Sequence, residues 1–184
     1  MGEGKRRRLD DGERQCCGFL RGRTDVTERT YGVLNPAELA SLSGIEVLRA
    51  MIAGRFPAPP ISERMGMWLA EVGEGMAVFE GDPGSHLLNP LGSVHGGWAL
   101  TLIDSATGCS VHSTLPAGVG YTTVETKANM TRPIRPDGGR VRCEGRVVAR
   151  GRQIATAEAR LLDREGRILA HGTSTVMILP PRQD

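Results

Sequence analysis

Asn89-Pro-Leu-Gly-Ser-Val-His95-Gly96-Gly97-Trp98-Ala-Leu-Thr-Leu-Ile-Asp104-Ser-Ala-Thr107-Gly108-Cys109 is the stretch around which the chain is organised. It begins as a turn-rich loop and becomes an apolar segment long enough for a central helix. Trp98, Leu100, Leu102, Ile103 and Ala106 spread apolar surface nearly all round that helix, which suits a buried helix better than a surface one. One carboxylate, Asp104, sits in this run. Burying an unpaired carboxylate is costly, so such an acid is paired, held protonated or placed at a site. At the other end, His95-Gly96-Gly97 sets an imidazole and two backbone N–H groups without side-chain cover at the helix N-terminus. The macrodipole and the free donors there favour developing negative charge. An acid and an anion-stabilising terminus together outline an acyl-transfer site.

Spacing constrains how the two ends cooperate. His95 and Asp104 are nine positions apart. They therefore point to opposite sides of a helix and lie roughly 13 Å apart along its axis. They cannot form a hydrogen-bonded dyad within one chain. Either only one of them is functional, or each belongs to a different composite site, as in a symmetric dimer whose two-fold axis brings the helix N-terminus of one copy to the acid of the other.

Outward from this stretch the chain divides into three parts. Residues 1–30 are rich in Gly, Arg, Asp, Glu and Thr and read as a flexible arm; Lys5-Arg6-Arg7-Arg8 is followed at once by Asp10, Asp11 and Glu13, which argues against nucleic acid. Residues 31–62 hold one amphipathic helix, capped by Asn35-Pro36 and running to Gly54, with Leu39, Leu42, Ile45, Leu48, Met51 and Ile52 at helical spacing. Phe56-Pro57-Ala-Pro59-Pro60 then reads as a linker or entrance segment. From Glu63 the period changes to two, and residues 63–180 form the main domain. Two strands turn at Gly73-Glu74-Gly75, the central helix spans about Val94 to Leu115, and strands follow over 121–132, 139–149, 153–162 and 168–179. Successive tight Gly-containing turns imply an antiparallel meander. The class is α+β, a sheet with one long helix laid on it.

Composition sets limits. At 184 residues the chain holds one domain with a core, its formal charge is +2, and no apolar run approaches the ~20 residues of a membrane span. Four cysteines (Cys16, Cys17, Cys109, Cys143) show neither disulfide nor zinc spacing and read as reduced thiols of a cytoplasmic protein.

At these residues the chain resembles the hotdog-fold acyl-CoA thioesterases, in the branch of the phenylacetic-acid-degradation thioesterases. The resemblance rests on Asn89 through Gly97 with an acid seven residues past the second glycine, on Lys127 to Pro133, on Arg150-Gly151-Arg152, and on Leu162 to Thr173. It covers about residues 63–180. It implies an antiparallel sheet wrapped round the long helix, in a homodimer or homotetramer with active sites at subunit interfaces. Asp104 would be the catalytic carboxylate, as nucleophile or as general base. Gly96, with Gly97 beside it, would polarise the thioester carbonyl; His95 would orient that loop, and Asn89 would position carbonyl or water. Thr107 stands one position from a Ser or Thr that some relatives carry four residues after the acid, where this chain has Gly108. No metal and no separate cofactor is implied, since CoA belongs to the substrate.

Turn residues with positive charge are the candidates for CoA phosphates: Arg132, Arg135, Arg150 and Arg152, with the Gly151 amide as a further donor. Trp98, Trp68 and the proline segment are candidates for the pocket wall. The function expected is hydrolysis of an acyl- or aryl-acyl-CoA thioester. The alternatives are a non-catalytic acyl-CoA-binding module of the same fold and a hotdog dehydratase, whose His/acid arrangement differs from the one here.

Overall fold

The computed structural model describes residues 20–21 and 29–181. The expected arm, with its basic cluster and the Cys16-Cys17 pair, lies almost wholly outside the described residues. Along the chain come β1 (Leu20–Arg21), α1 (Pro36–Leu39), α2 (Gly44–Ile52), α3 (Pro60–Met65), β2 (Met67–Gly73), β3 (Met76–Gly81), α4 (Gly96–His112), β4 (Gly120–Met130), β5 (Val141–Arg150), β6 (Ile154–Leu162) and β7 (Ile168–Leu179). The strands form one sheet in the order β1-β2-β3-β5-β6-β7-β4, and every pairing is antiparallel. The expected meander is β5-β6-β7, while β4, which follows the long helix, returns to the far side of β7. This is the α+β hotdog arrangement, with α4 lying across the inner face of the sheet.

Two expectations for the N-terminal part need correction. The single helix from Asn35 to Gly54 is two helices. Asn35 does cap α1, its Oδ1 accepting from Ala37 N at 3.0 Å. That helix stops after Leu39, and α2 starts afresh where the Glu46 carboxylate accepts from the Ser43 amide at 2.8 Å and from its hydroxyl at 2.6 Å. Serines compete with helical backbone bonding, so Ser41-Leu42-Ser43 favours a break. The break also brings Gly44 against the end of α4, where its amide donates to Leu115 O at 3.0 Å. The second correction concerns residues 60–65. They form α3 rather than linker and strand, because Pro60 suits the first helical position and Gly66 closes the helix at φ 58°.

The core is the layer between α4 and the sheet. Leu102, Ile103 and Ala106 of α4 are fully buried against Phe79, Cys143, Ala159, Leu161 and Ala170. Each large aliphatic side chain buried this way stabilises by about 1.5–3 kcal/mol. Small residues on the strands let the helix approach closely. A Cβ on Gly145 would stand 2.4 Å from Ala106 O, so no other residue fits β5 at that point without moving α4.

Trp98 is not a pocket wall. It is 2% exposed, and its Nε1 donates to Met65 O at 2.7 Å. Trp68 is likewise buried, under the guanidinium groups of Arg29 and Arg140, each 4.6 Å from its ring centre.

Candidate active site

His95 is the N-cap of α4. Its Nδ1 accepts from Gly97 N at 2.9 Å, which satisfies one of the free donors of the first turn. A Cβ at Gly97 would stand 2.9 Å from that Nδ1, so the glycine is what lets the imidazole fold back. The two expected oxyanion donors are thereby distinguished. The Gly97 amide is occupied by His95, whereas the Gly96 amide has no partner among the described residues and stands at the positive end of a 17-residue helix. His95 is exposed, and its imidazole builds this terminus with Nδ1 as acceptor.

Asn89 shapes the loop before it. Its Oδ1 accepts from Leu91 N at 2.9 Å and Ser93 N at 3.3 Å, and its Nδ2 donates to Ser93 Oγ at 2.9 Å. The amide is therefore spent on the turn except for one Nδ2 hydrogen.

Asp104 lies eight residues along α4 from Gly96, half-buried and facing β4. Its Oδ1 accepts from Thr126 Oγ1 at 2.8 Å. Behind Thr126 the hydroxyls continue inward: Thr126 Oγ1 to Ser174 Oγ is 3.0 Å, and Ser174 Oγ to Thr107 Oγ1 is 2.7 Å. Thr107 donates to Ile103 O at 2.9 Å and is fully buried. Thr107 thus reaches the acid through two other hydroxyls and presents no surface for CoA.

Thr126 and Ser174 escaped the sequence reading. The β4–β7 ladder slips between Thr123 and Glu125, so Val124 is an extra residue. Simple alternation from Tyr121 and Thr123 would turn Glu125 toward the helix; the bulge turns Thr126 there instead. Nothing in the residue types announces that slip. Ser174 did leave a signal, as a polar residue on the inward face of β7 between buried Ala170 and Val176.

One turn beyond Asp104, Gly108 faces Tyr121 of β4, and the Tyr121 ring stacks obliquely on His112 at 5.2 Å. Burial lowers the His112 imidazole and pushes the Tyr121 hydroxyl well above its ordinary value. Burial also pushes the Cys109 thiol up to about 12, with the Tyr121 hydroxyl pulling the other way and the charge of Asp104 adding to the rise.

The arginine candidates do not form one patch. Arg132 and Arg135 follow β4, whereas Arg150, Gly151 and Arg152 make the β5–β6 turn. The ends of ten-residue β5 separate the two groups by roughly 30 Å. Arg132 Nη1 donates to Ile168 O at 2.8 Å, and Arg135 pairs with Asp137 at 3.1 Å. Arg135 also lines an open cleft of about 250 Å³ with Asp163, Arg164 and Arg167, all ion-paired. At the opposite end, Arg150 and Arg152 are exposed, and the Gly151 amide is taken by Ile154 O at 2.8 Å.

Comparison with known proteins places this geometry. The family model of the thioesterase superfamily matches residues 91–170, from the loop before α4 into β7. A conserved protein of Pseudomonas aeruginosa is 31% identical, with 65% of this chain and 94% of that one covered and a TM-score of 0.61. A thioesterase family protein from Silicibacter pomeroyi is 27% identical over 74% of this chain and 98% of its own, at a TM-score of 0.64. A phenylacetic acid degradation-related protein from Ralstonia eutropha is 26% identical over 71% and 98%, also at 0.64. No curated protein matches the chain. By the family match and these likenesses in sequence and fold, the chain belongs to the thioesterase superfamily, with the hotdog fold and a likeness to its phenylacetic-acid type.

Proposed function

We propose that the protein hydrolyses an acyl- or aryl-acyl-CoA thioester, releasing the free acid and CoA, at a site shared by two copies of the chain. The observation that carries this reading is the Asp104 carboxylate, half-buried at the seam of α4 and β4 with Oδ1 tied to Thr126. That leaves Oδ2 as the oxygen for chemistry.

Two courses suit the carboxylate. As general base it takes a proton from water while the water oxygen bonds to the thioester carbon. As nucleophile it forms a mixed anhydride that water then opens. In both, the carbonyl oxygen gains negative charge that the free Gly96 amide stabilises, and the C–S bond breaks to release a thiolate needing no strong acid. Hydrolysis in ¹⁸O-labelled water under single-turnover conditions identifies an anhydride opened at the Asp104 carboxyl carbon, since that route alone leaves unlabelled oxygen from Asp104 in the first product and labels Asp104 itself.

Gly96 and Asp104 are about 12 Å apart along one helix, too far to serve one carbonyl group. The outer edge of β4 has no strand beside it among the described residues, and Val124 and Met130 stand exposed there. A second copy adding its own β4 would cover that edge and set its helix N-terminus toward Asp104. The reading is tested with a panel of acyl-CoAs followed by release of free thiol. Turnover by the parent and its loss in Asp104→Asn support hydrolysis; CoA binding without turnover makes the protein a binding module instead.

A further inference from the structure

We infer that Thr126 is a positioning residue for the reaction, holding Asp104 in its working rotamer as the outer member of a chain of three hydroxyls. The inference rests on the hydrolase reading above and adds to it a residue on a different element from the acid. It starts from proton counting. A carboxylate only accepts, so the single hydroxyl hydrogen of Thr126 is committed to Asp104 Oδ1 at 2.8 Å. Thr107 spends its hydrogen on the helix carbonyls of Ile103 and Asp104, at 2.9 and 3.1 Å. Ser174, between them at 3.0 and 2.7 Å, has one hydrogen for either neighbour. Each hydroxyl therefore donates once with none left over, and the direction at the carboxylate end is set.

The surroundings make this arrangement rigid. Ser174 and Thr107 are 3% and 0% exposed. Thr107 is anchored to the same helix turn that carries Asp104, and Ser174 stands opposite Thr126 in the ladder. The bulge at Val124 turns Thr126, rather than Glu125, toward the acid. A glutamate there would set a second negative charge against Asp104. Three hydroxyls from β7, α4 and β4 thus form one chain that ends, through Thr126, on one oxygen of the carboxylate and leaves the other for water or thioester. A bond to an ionised group is stronger than a neutral one, so Thr126 is the member whose loss frees the side chain to rotate. Misplacing a reacting group by about 1 Å costs on the order of 100-fold.

The test compares parent, Thr126→Val, Thr126→Ser, Asp104→Asn and the Asp104→Asn/Thr126→Val double variant for acyl-CoA hydrolysis, with folding checked by circular dichroism. Valine keeps the shape of threonine and removes only the hydroxyl, and Ser174 keeps Thr107 as partner. Thr126→Val is expected to lower kcat about 10- to 100-fold with KM within about twofold, and Thr126→Ser to stay within about threefold of the parent. In the Asp104→Asn background the valine change is expected to cost less than about twofold, because a positioning residue has nothing left to position. A folded Thr126→Val protein with the parent's kcat overturns the inference while the hydrolase reading stands. So does an equal loss in both backgrounds. A parent protein that turns over no acyl-CoA removes the hydrolase reading, and the inference with it.

Discussion

Tyr121 fills the space that a side chain at residue 108 would take. A Cβ on Gly108 would stand 2.9 Å from Tyr121 Cε2 and 3.1 Å from its hydroxyl oxygen. The hydroxyl residue that the family resemblance sets at this point in some relatives is therefore incompatible with Tyr121 as packed here. Gly108→Ala sets a helix-propensity gain of about 1 kcal/mol against overpacking of about 1–3 kcal/mol, and we expect net destabilisation. In a Tyr121→Ala background the ring is gone and the same change should stabilise. Urea unfolding of the four proteins reads the sign change; the same sign in both backgrounds contradicts the packing account.

His112 carries a pH dependence of stability. Burial holds its imidazole below the ordinary 6.5, so the unfolded chain takes up the proton first. The stability contributed by the neutral ring is full above about pH 6.5 and is lost as pH falls toward and through the lowered folded value. His112→Phe keeps a ring beside Tyr121 and removes the titration. The parent should lose more thermal stability than this variant between about pH 7.5 and 5.5. Parallel losses would rule out His112 as the source.

The two thiols, Cys109 half-buried and Cys143 buried, titrate in the opposite sense. Cys109 is pushed from 9.0 up to about 12, and burial pushes Cys143 up as well. A raised thiol contributes stability that is complete below pH 9 and is lost as pH rises through the folded value. With Cys16 and Cys17 changed to serine, the native protein at about pH 8 should react with a disulfide reagent far more slowly than the urea-unfolded protein. Equal rates would show that Cys109 and Cys143 are accessible as thiolates.

Much of the fold was legible because its signals are local. The apolar run of α4, the alternation in β5 to β7 and their Gly turns are statements about neighbours in sequence, and they set these boundaries within a few residues. What was not legible depends on contacts between distant segments. The break before Gly44 answers to the end of α4 some seventy residues away. The bulge at Val124 is a property of the β4–β7 ladder and decides which residue meets Asp104. Within the site, Asp104, His95 and Gly96 stood out because a carboxylate in an apolar helix and a glycine pair at its start are unusual in themselves. The division of labour between Gly96 and Gly97 needed the position of one imidazole.

The Gly96 amide is open to a direct deletion. Gly96 is the first residue of α4, where proline is welcome, and His95 before it has φ −62° and ψ 133°, the conformation that precedes proline readily. Gly96→Pro should leave the fold in place and lower kcat about 100- to 1000-fold by removing one hydrogen. Unchanged turnover would take the Gly96 amide out of the mechanism.

The central claim, that Asp104 and the Gly96 amide of two different copies make one site, is tested most directly by complementation. Gly96→Pro and Asp104→Asn proteins, each nearly inactive alone, are unfolded together, refolded as a mixture and assayed for thiol release from acyl-CoA. Random pairing gives half mixed dimers, each with one intact site, so about a quarter of the parent's activity should return. Activity that stays at the level of the separate variants, in a mixture shown to contain mixed dimers, would contradict the shared site.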